Sequence, residues 1–143
     1  MARRNEQTVL GVIVLGFFRG IWWLLKLPFR GLQKKSKLSV ADHQYLIAKR
    51  SEIEQLLRSD SQLELRHAVM EADKLADWIL KKKNYPGSTF ADRLRAAQKD
   101  IPRSVYNNVW QGHKIRNQIA HEDGNISAEL LKSAGKNIMS YNN

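Results

Sequence analysis

Arg116, Asn117 and His121 stand together in the run Arg-Asn-Gln-Ile-Ala-His, late in the chain. Their types suit chemistry at a phosphate. A histidine titrates near neutral pH, so it can take a proton from a hydroxyl or return one to a leaving oxygen. An arginine donates two hydrogen bonds to phosphate oxygens and offsets the charge that builds there in a transition state. An asparagine beside them can orient the phosphate or the imidazole. Such a set requires no metal ion and no cofactor.

These residues need a helix to position them. Advancing about 100° per residue from Val105, one sector collects Ile101, Val105, Val109, Gly112, Ile115, Ile119 and Ala120, the predicted core face. Beside it runs a stripe of His113, Tyr106, Asn117, Trp110 and His121, in that angular order. Lys114, Asn107, Gln118 and Gln111 complete the solvent side. His113, Trp110 and Tyr106 are therefore candidate substrate contacts, although for Trp110 packing at a dimer interface is the favoured role over stacking on a base. Arg116 falls inside the core sector, near Val109 and Ala120. A guanidinium there must be paired or must face a cleft. It is either a member of a structural ion pair or a group held ready for an anion. Arg116 and His121 lie about 140° apart, so convergence needs the arginine's length, a distorted last turn or a second chain. His121 also has a plainer role, as an imidazolium favoured by a helix C-terminus.

The rest of the C-terminal part reads as helices. Ser39-Val-Ala-Asp42 has capping-box character and opens a helix to about Ser59, and Ser61-Gln-Leu-Glu64 is a second such signal, for a helix to about Lys83. Asn84-Tyr-Pro-Gly-Ser88 is a loop, and Thr89 starts a short helix through Phe90, Leu94 and Ala97. Pro102 precedes the long helix that ends near His121, with Gly124 as its cap. Ser127 caps a last helix with Leu130, Leu131, Ala134 and Ile138, and the tail Ser-Tyr-Asn-Asn is expected to fray. The expected fold is all-α: an up-down helical bundle of four main helices plus a short connecting helix, over residues 39–143.

Residues 1–27 are different. Gln7 to Phe18 carries no charge, and after Arg19-Gly20 the apolar run resumes with Ile-Trp-Trp-Leu-Leu. A helix from Thr8 to Leu27 spans roughly 30 Å, the thickness of a bilayer core. Arg19 costs roughly 2.5–3.5 kcal/mol at a helix centre, which the Val, Leu, Ile and Phe residues offset at roughly 0.3–0.6 each. The balance is marginal, and an in-plane interfacial helix is the competing geometry. Trp22 and Trp23 suit an interface, and Gly16 and Gly20 form a GxxxG that lets helices approach closely. More Lys and Arg follow this segment than precede it. The expected location is thus the cell membrane, single-pass, with residues 28–38 as a basic linker and the C-terminal domain cytoplasmic.

Charge and cysteine usage narrow the function classes. The net charge is +10 over 143 residues, of which residues 1–37 contribute +7 and residues 38–143 only +3. The basicity belongs mostly to the anchor's flanks, not to a nucleic-acid footprint on the domain. The absence of cysteine excludes disulfides, thiolate metal sites and cysteine nucleophiles. Glu64-Leu-Arg-His67 has the Glu-x-x-His spacing of diiron bundles, but such sites need a second copy and two further carboxylates. Lys81-Lys-Lys83 reads as a solvated helix end rather than a phosphate contact.

Arg116-Asn-Gln-Ile-Ala-His121 resembles the Arg-x4-6-His motif of HEPN domains, in the form with Asn directly after Arg. The position also fits: late in a long helix, next to last in a small all-α bundle. The likeness covers roughly residues 40–140. It implies a homodimer whose motif helices face each other across a cleft, and a metal-independent endoribonuclease that leaves a 2′,3′-cyclic phosphate. One histidine cannot easily act as base and acid in one step; a symmetric pair presents two. Three readings follow: a membrane-tethered ribonuclease, a non-catalytic HEPN-like module binding RNA, a nucleotide or a companion protein, and a plain structural membrane protein.

Overall fold

Three helix starts are built from the side chains that predict them. The computed structural model describes residues 36–121 and 125–142. Helix α1, Val40–Leu56, opens where Ser39 Oγ accepts from the Asp42 N–H while the Asp42 carboxylate accepts from the Ser39 N–H. Helix α3, Phe90–Ala97, repeats the device with Thr89 and Asp92. Each box satisfies two amide donors that the first helical turn leaves without partners. Helix α5, Ala128–Met139, opens with Ser127 Oγ accepting from the Leu130 N–H.

Helix α2, Gln62–Lys82, departs from expectation. Ser61 occupies the cap position but its side chain makes no capping bond. Its N–H donates to Ser59 Oγ at 3.0 Å, so the connecting turn satisfies that donor and Glu64 stays exposed. Helix α4, Arg103–His121, starts directly after Pro102. Single 3₁₀ turns cover Gln98–Asp100 and Ser140–Asn142. All regular elements among the described residues are helical, and there are five α-helices.

Helix α2 is the hub, in contact with α1, α3, α4 and α5. Its buried face is Leu65, Ala68, Val69, Ala72, Leu75, Ala76, Ile79 and Leu80. The alanines let neighbours approach closely. Ile53 and Leu57, Leu94 and Ala97, Val109, and Leu131, Ala134 and Ile138 close around that face. Each fully buried branched aliphatic side chain contributes roughly 1.5–3 kcal/mol. Helices α4 and α5 cross at Gly112, where a Cβ would overlap Ile138 Cγ1 and stand 2.6 Å from the Ala134 carbonyl oxygen.

The predicted core face of α4 holds for Ile101, Val109 and Gly112, which are buried, and partly for Val105, Ile115 and Ile119. Ala120 is exposed, because the last turn of α4 runs past its neighbours. Of the C-terminal tail, Ser140 and Tyr141 are packed rather than frayed. Tyr141 is half-buried against the core, with the Lys83 ammonium 5.0 Å from its ring centre. Desolvation there pushes the Lys83 ammonium below its ordinary pKa and the Tyr141 phenol above its own.

No helix among the described residues is long and apolar enough to cross a membrane. The anchor assigned to residues 1–27, the linker up to residue 35 and the Gly124 cap lie outside the described residues.

Candidate functional site: a carboxylate shared by α4

Asp73 sits on the apolar face of α2, one turn from Val69 and Ala76, and is buried. A carboxylate at such a position requires partners. Helix α4 supplies them. His113 Nδ1 lies 2.7 Å from Asp73 Oδ1, and Arg116 Nε lies 3.4 Å from Asp73 Oδ2. The Nε atom is shielded from solvent and its N–H does not point at that oxygen, so the second contact is a charge pair and not a hydrogen bond.

Asn117 closes the arrangement. Arg116 Nη1 donates to Asn117 Oδ1 at 3.2 Å, and Asn117 Nδ2 lies 3.2 Å from His113 Nε2. A guanidinium only donates, so the oxygen of the amide must face it and the amide NH₂ must face the imidazole. A carboxylate only accepts, so His113 carries its proton on Nδ1 and presents a lone pair at Nε2. The four groups then form one ring, closed by three hydrogen bonds and the Arg116–Asp73 charge pair, with the Arg116 Nε–H left without an acceptor. Its charges, the Asp73 carboxylate and the Arg116 guanidinium, cancel, as burial demands.

Aromatic rings frame the imidazole. Phe90, the first residue of α3, packs on His113 at 4.6 Å between ring centres, and Trp110 meets it edge-on at 5.8 Å. Phe90 is held there by α3, which Arg93 ties down. The buried Arg93 donates from Nε to Asp77 Oδ1 at 2.7 Å and from Nη1 to the Gly87 carbonyl at 2.6 Å, joining α2, the 84–88 loop and α3. Gly87 takes φ +150°, and a Cβ there would stand 2.6 Å from Asp92 Cβ.

The residues singled out from sequence therefore separate into two groups. Arg116, Asn117 and His113 are brought together, with Asp73 as a fourth member the sequence reading missed. Trp110 and Tyr106 are half-buried and meet edge-on at 6.2 Å, and the Arg95 guanidinium lies 5.3 Å from the Trp110 ring centre. His121 is exposed as the last residue of α4, and its side chain makes no bond to the ring and no hydrogen bond among the described residues. The side chain of Arg116 keeps 30% exposure, so the guanidinium bridges the buried ring and the surface. Asp73 had a sequence signal: it falls in phase with Val69, Ala72 and Ala76, on a face otherwise apolar.

The features set aside from sequence resolve into local roles. Lys81 pairs with Asp77 of the same helix at 2.8 Å, while Lys82 pairs with Asp42 at 2.8 Å and Lys83 lies over Tyr141, so the lysine run ties the end of α2 to α1 and to the C-terminal turn. Glu64 is exposed, and His67 lies 3.8 Å from Glu71 instead. No group of three His, Asp or Glu that would hold a metal ion occurs among the described residues. No family model, curated protein or solved structure matches this chain.

Proposed function

We propose that the chain is a HEPN-type endoribonuclease, tethered to a membrane by residues 1–27 and active as a homodimer. In this reading Arg116 holds the scissile phosphate and His121 transfers the proton. The observation that carries it is the state of Arg116: anchored from behind by Asp73 and Asn117, yet 30% exposed. An anchored guanidinium meets a phosphate without first losing the rotamer freedom of a loose surface arginine. His121, exposed on the same helix, is unencumbered among the described residues.

The chemistry uses the substrate's own nucleophile. One His121 takes the 2′-OH proton as the 2′-oxygen bonds to phosphorus. The P–O5′ bond breaks, and the His121 of a second copy returns a proton to the 5′-oxygen. The products are a 2′,3′-cyclic phosphate and a 5′-hydroxyl. Arg116 stabilises the charge on the non-bridging oxygens.

One observation favours a second reading. The ring already gives Arg116 a counter-charge in Asp73 and an acceptor in Asn117, so the guanidinium has partners without a ligand. That supports a non-catalytic HEPN-like module at the membrane, binding RNA, a nucleotide or a companion protein. Labelled RNA, excess EDTA and the full chain in detergent decide between the two. The nuclease reading expects cleavage that disappears in His121→Ala and Arg116→Ala and at 2′-deoxy substituted positions. RNA bound but uncut, or cut equally well by both variants, removes it.

A further inference from the structure

We infer that Asp73 and His113, both buried, are positioning residues that set the orientation of the Arg116 guanidinium through a hydrogen-bond circuit of fixed direction. The donors run one way: Arg116 Nη1 to Asn117 Oδ1, Asn117 Nδ2 to His113 Nε2, His113 Nδ1 to Asp73 Oδ1. The other oxygen of Asp73 faces Arg116 Nε at 3.4 Å. Hydrogen bonds aligned in one direction polarise and strengthen one another, most of all where water is excluded. Reversing any member breaks its neighbour. If the Asn117 amide turned over, its NH₂ would face the guanidinium, donor against donor. If the imidazole carried its proton on Nε2, that N–H would face the amide NH₂, and the Asp73 carboxylate would lose its donor.

Arg116 and His113 are thereby coupled through Asn117 and Asp73, with no hydrogen bond between them. The arginine dictates the face of Asn117, and Asn117 and Asp73 together dictate the tautomer of His113. Phe90 and Trp110 pack on the imidazole and stop it from swinging out of the circuit. An anion that draws Arg116 away from Asn117 releases the amide, so His113 reports occupancy of the guanidinium. The circuit stands on geometry alone; its use in orienting a phosphodiester rests on the ribonuclease reading above.

The test is imidazole ¹⁵N NMR on the full chain, with histidine labelled and the His113 signal assigned by its loss in His113→Asn. In the neutral ring the expected state is a single tautomer protonated at Nδ1. Arg116→Ala is expected to shift that population toward a mixture, although no hydrogen bond joins the residue to the imidazole. A wild-type ring protonated at Nε2 overturns the inference, and so does a tautomer population unchanged by Arg116→Ala. Cleavage kinetics add the functional arm. His113→Asn keeps a donor toward Asp73 but loses the acceptor for Asn117. It is expected to lower kcat about tenfold or more with KM little changed, since a misplaced reacting group costs rate more than affinity. A folded His113→Asn protein with wild-type kcat ends the positioning role. A wild-type chain that cuts no RNA ends the ribonuclease reading and leaves the NMR result to decide the circuit.

Discussion

His113 and Arg116 divide the carboxylate of Asp73 between them, Nδ1 at 2.7 Å from one oxygen and Nε at 3.4 Å from the other. The two lie three residues apart on α4, so one helical turn addresses both oxygens of a single anion on α2. Sliding α4 by one residue against α2 would break both contacts at once. The pair of helices therefore has a polar register mark inside an apolar interface, a role in which buried polar groups are best attested.

The first prediction follows from that sharing. Asp73→Ala leaves Arg116 Nε shielded and without its counter-charge, and leaves His113 Nδ1 without an acceptor. The expected destabilisation is about 2–4 kcal/mol, short of a fully buried pair because Arg116 is part-exposed. Denaturant unfolding followed by circular dichroism measures it. Asp73→Ala combined with Arg116→Ala should cost clearly less than the sum of the single changes, because the second removes the charge the first strands. Strict additivity would mean that the two groups do not interact.

Gly112→Ala tests the helix crossing. An alanine gains up to about 1 kcal/mol of helix propensity over glycine. Here its methyl group would overlap Ile138 Cγ1 and the backbone oxygen of Ala134. Overpacking of this kind costs about 1–3 kcal/mol, so a net loss of stability is expected. Gly112→Ala with Ile138→Val should recover little of it, since valine keeps the overlapped Cγ1 and the Ala134 carbonyl cannot retreat. A stabilised Gly112→Ala protein would show that α4 and α5 are not this close.

Acid stability has a named contributor. Hydrogen bonds from Lys82 and Ser39 hold the Asp42 carboxyl down from 3.8 to about 2. Hydrogen bonds from Thr89 and Ser88 lower Asp92 as well. A carboxylate depressed on folding contributes stability that is present above its unfolded pKa and lost as pH falls through the folded one. For Asp42 that window runs from 3.8 down to about 2. Thermal melts across it should fall less steeply for Asp42→Asn than for the wild type. Identical slopes would remove the Asp42 contribution.

The sequence marks helix starts well and helix partners poorly. Ser39, Thr89 and Ser127 announce their helices because a cap is a local event, closed within three residues. Ser61 carries the same signal, yet its amide goes to Ser59, a choice made by the turn before it. The helical phase of α4 foretold that Arg116 would be paired or cleft-facing and put His113 beside the core. It did not name Asp73, forty residues earlier, because phase fixes a face and says nothing of which helix covers it. The exposed Ala120 has the same origin: a face is core only as far as its neighbours extend. The packed Tyr141 tail likewise depends on a surface that the tail's own composition does not reveal.

The proposed dimeric cleft makes a quantitative prediction of its own. Arg116 and His121 point about 140° apart on a regular helix, and one imidazole serves poorly as both base and acid. If each cleft uses one His121 from each copy, a His121→Ala chain poisons every dimer it enters. At equal mixing with exchange of subunits, only about one quarter of dimers carry two wild-type chains. Activity per wild-type chain should then fall to about half, and further as the variant is added in excess. The mixing must use wild-type protein at a fixed concentration, with an Arg- and His-intact but tag-distinguished chain as the control for dilution. Activity that stays constant through the titration would assign both proton transfers to one chain, or to one histidine and water, and the shared cleft would be lost with it.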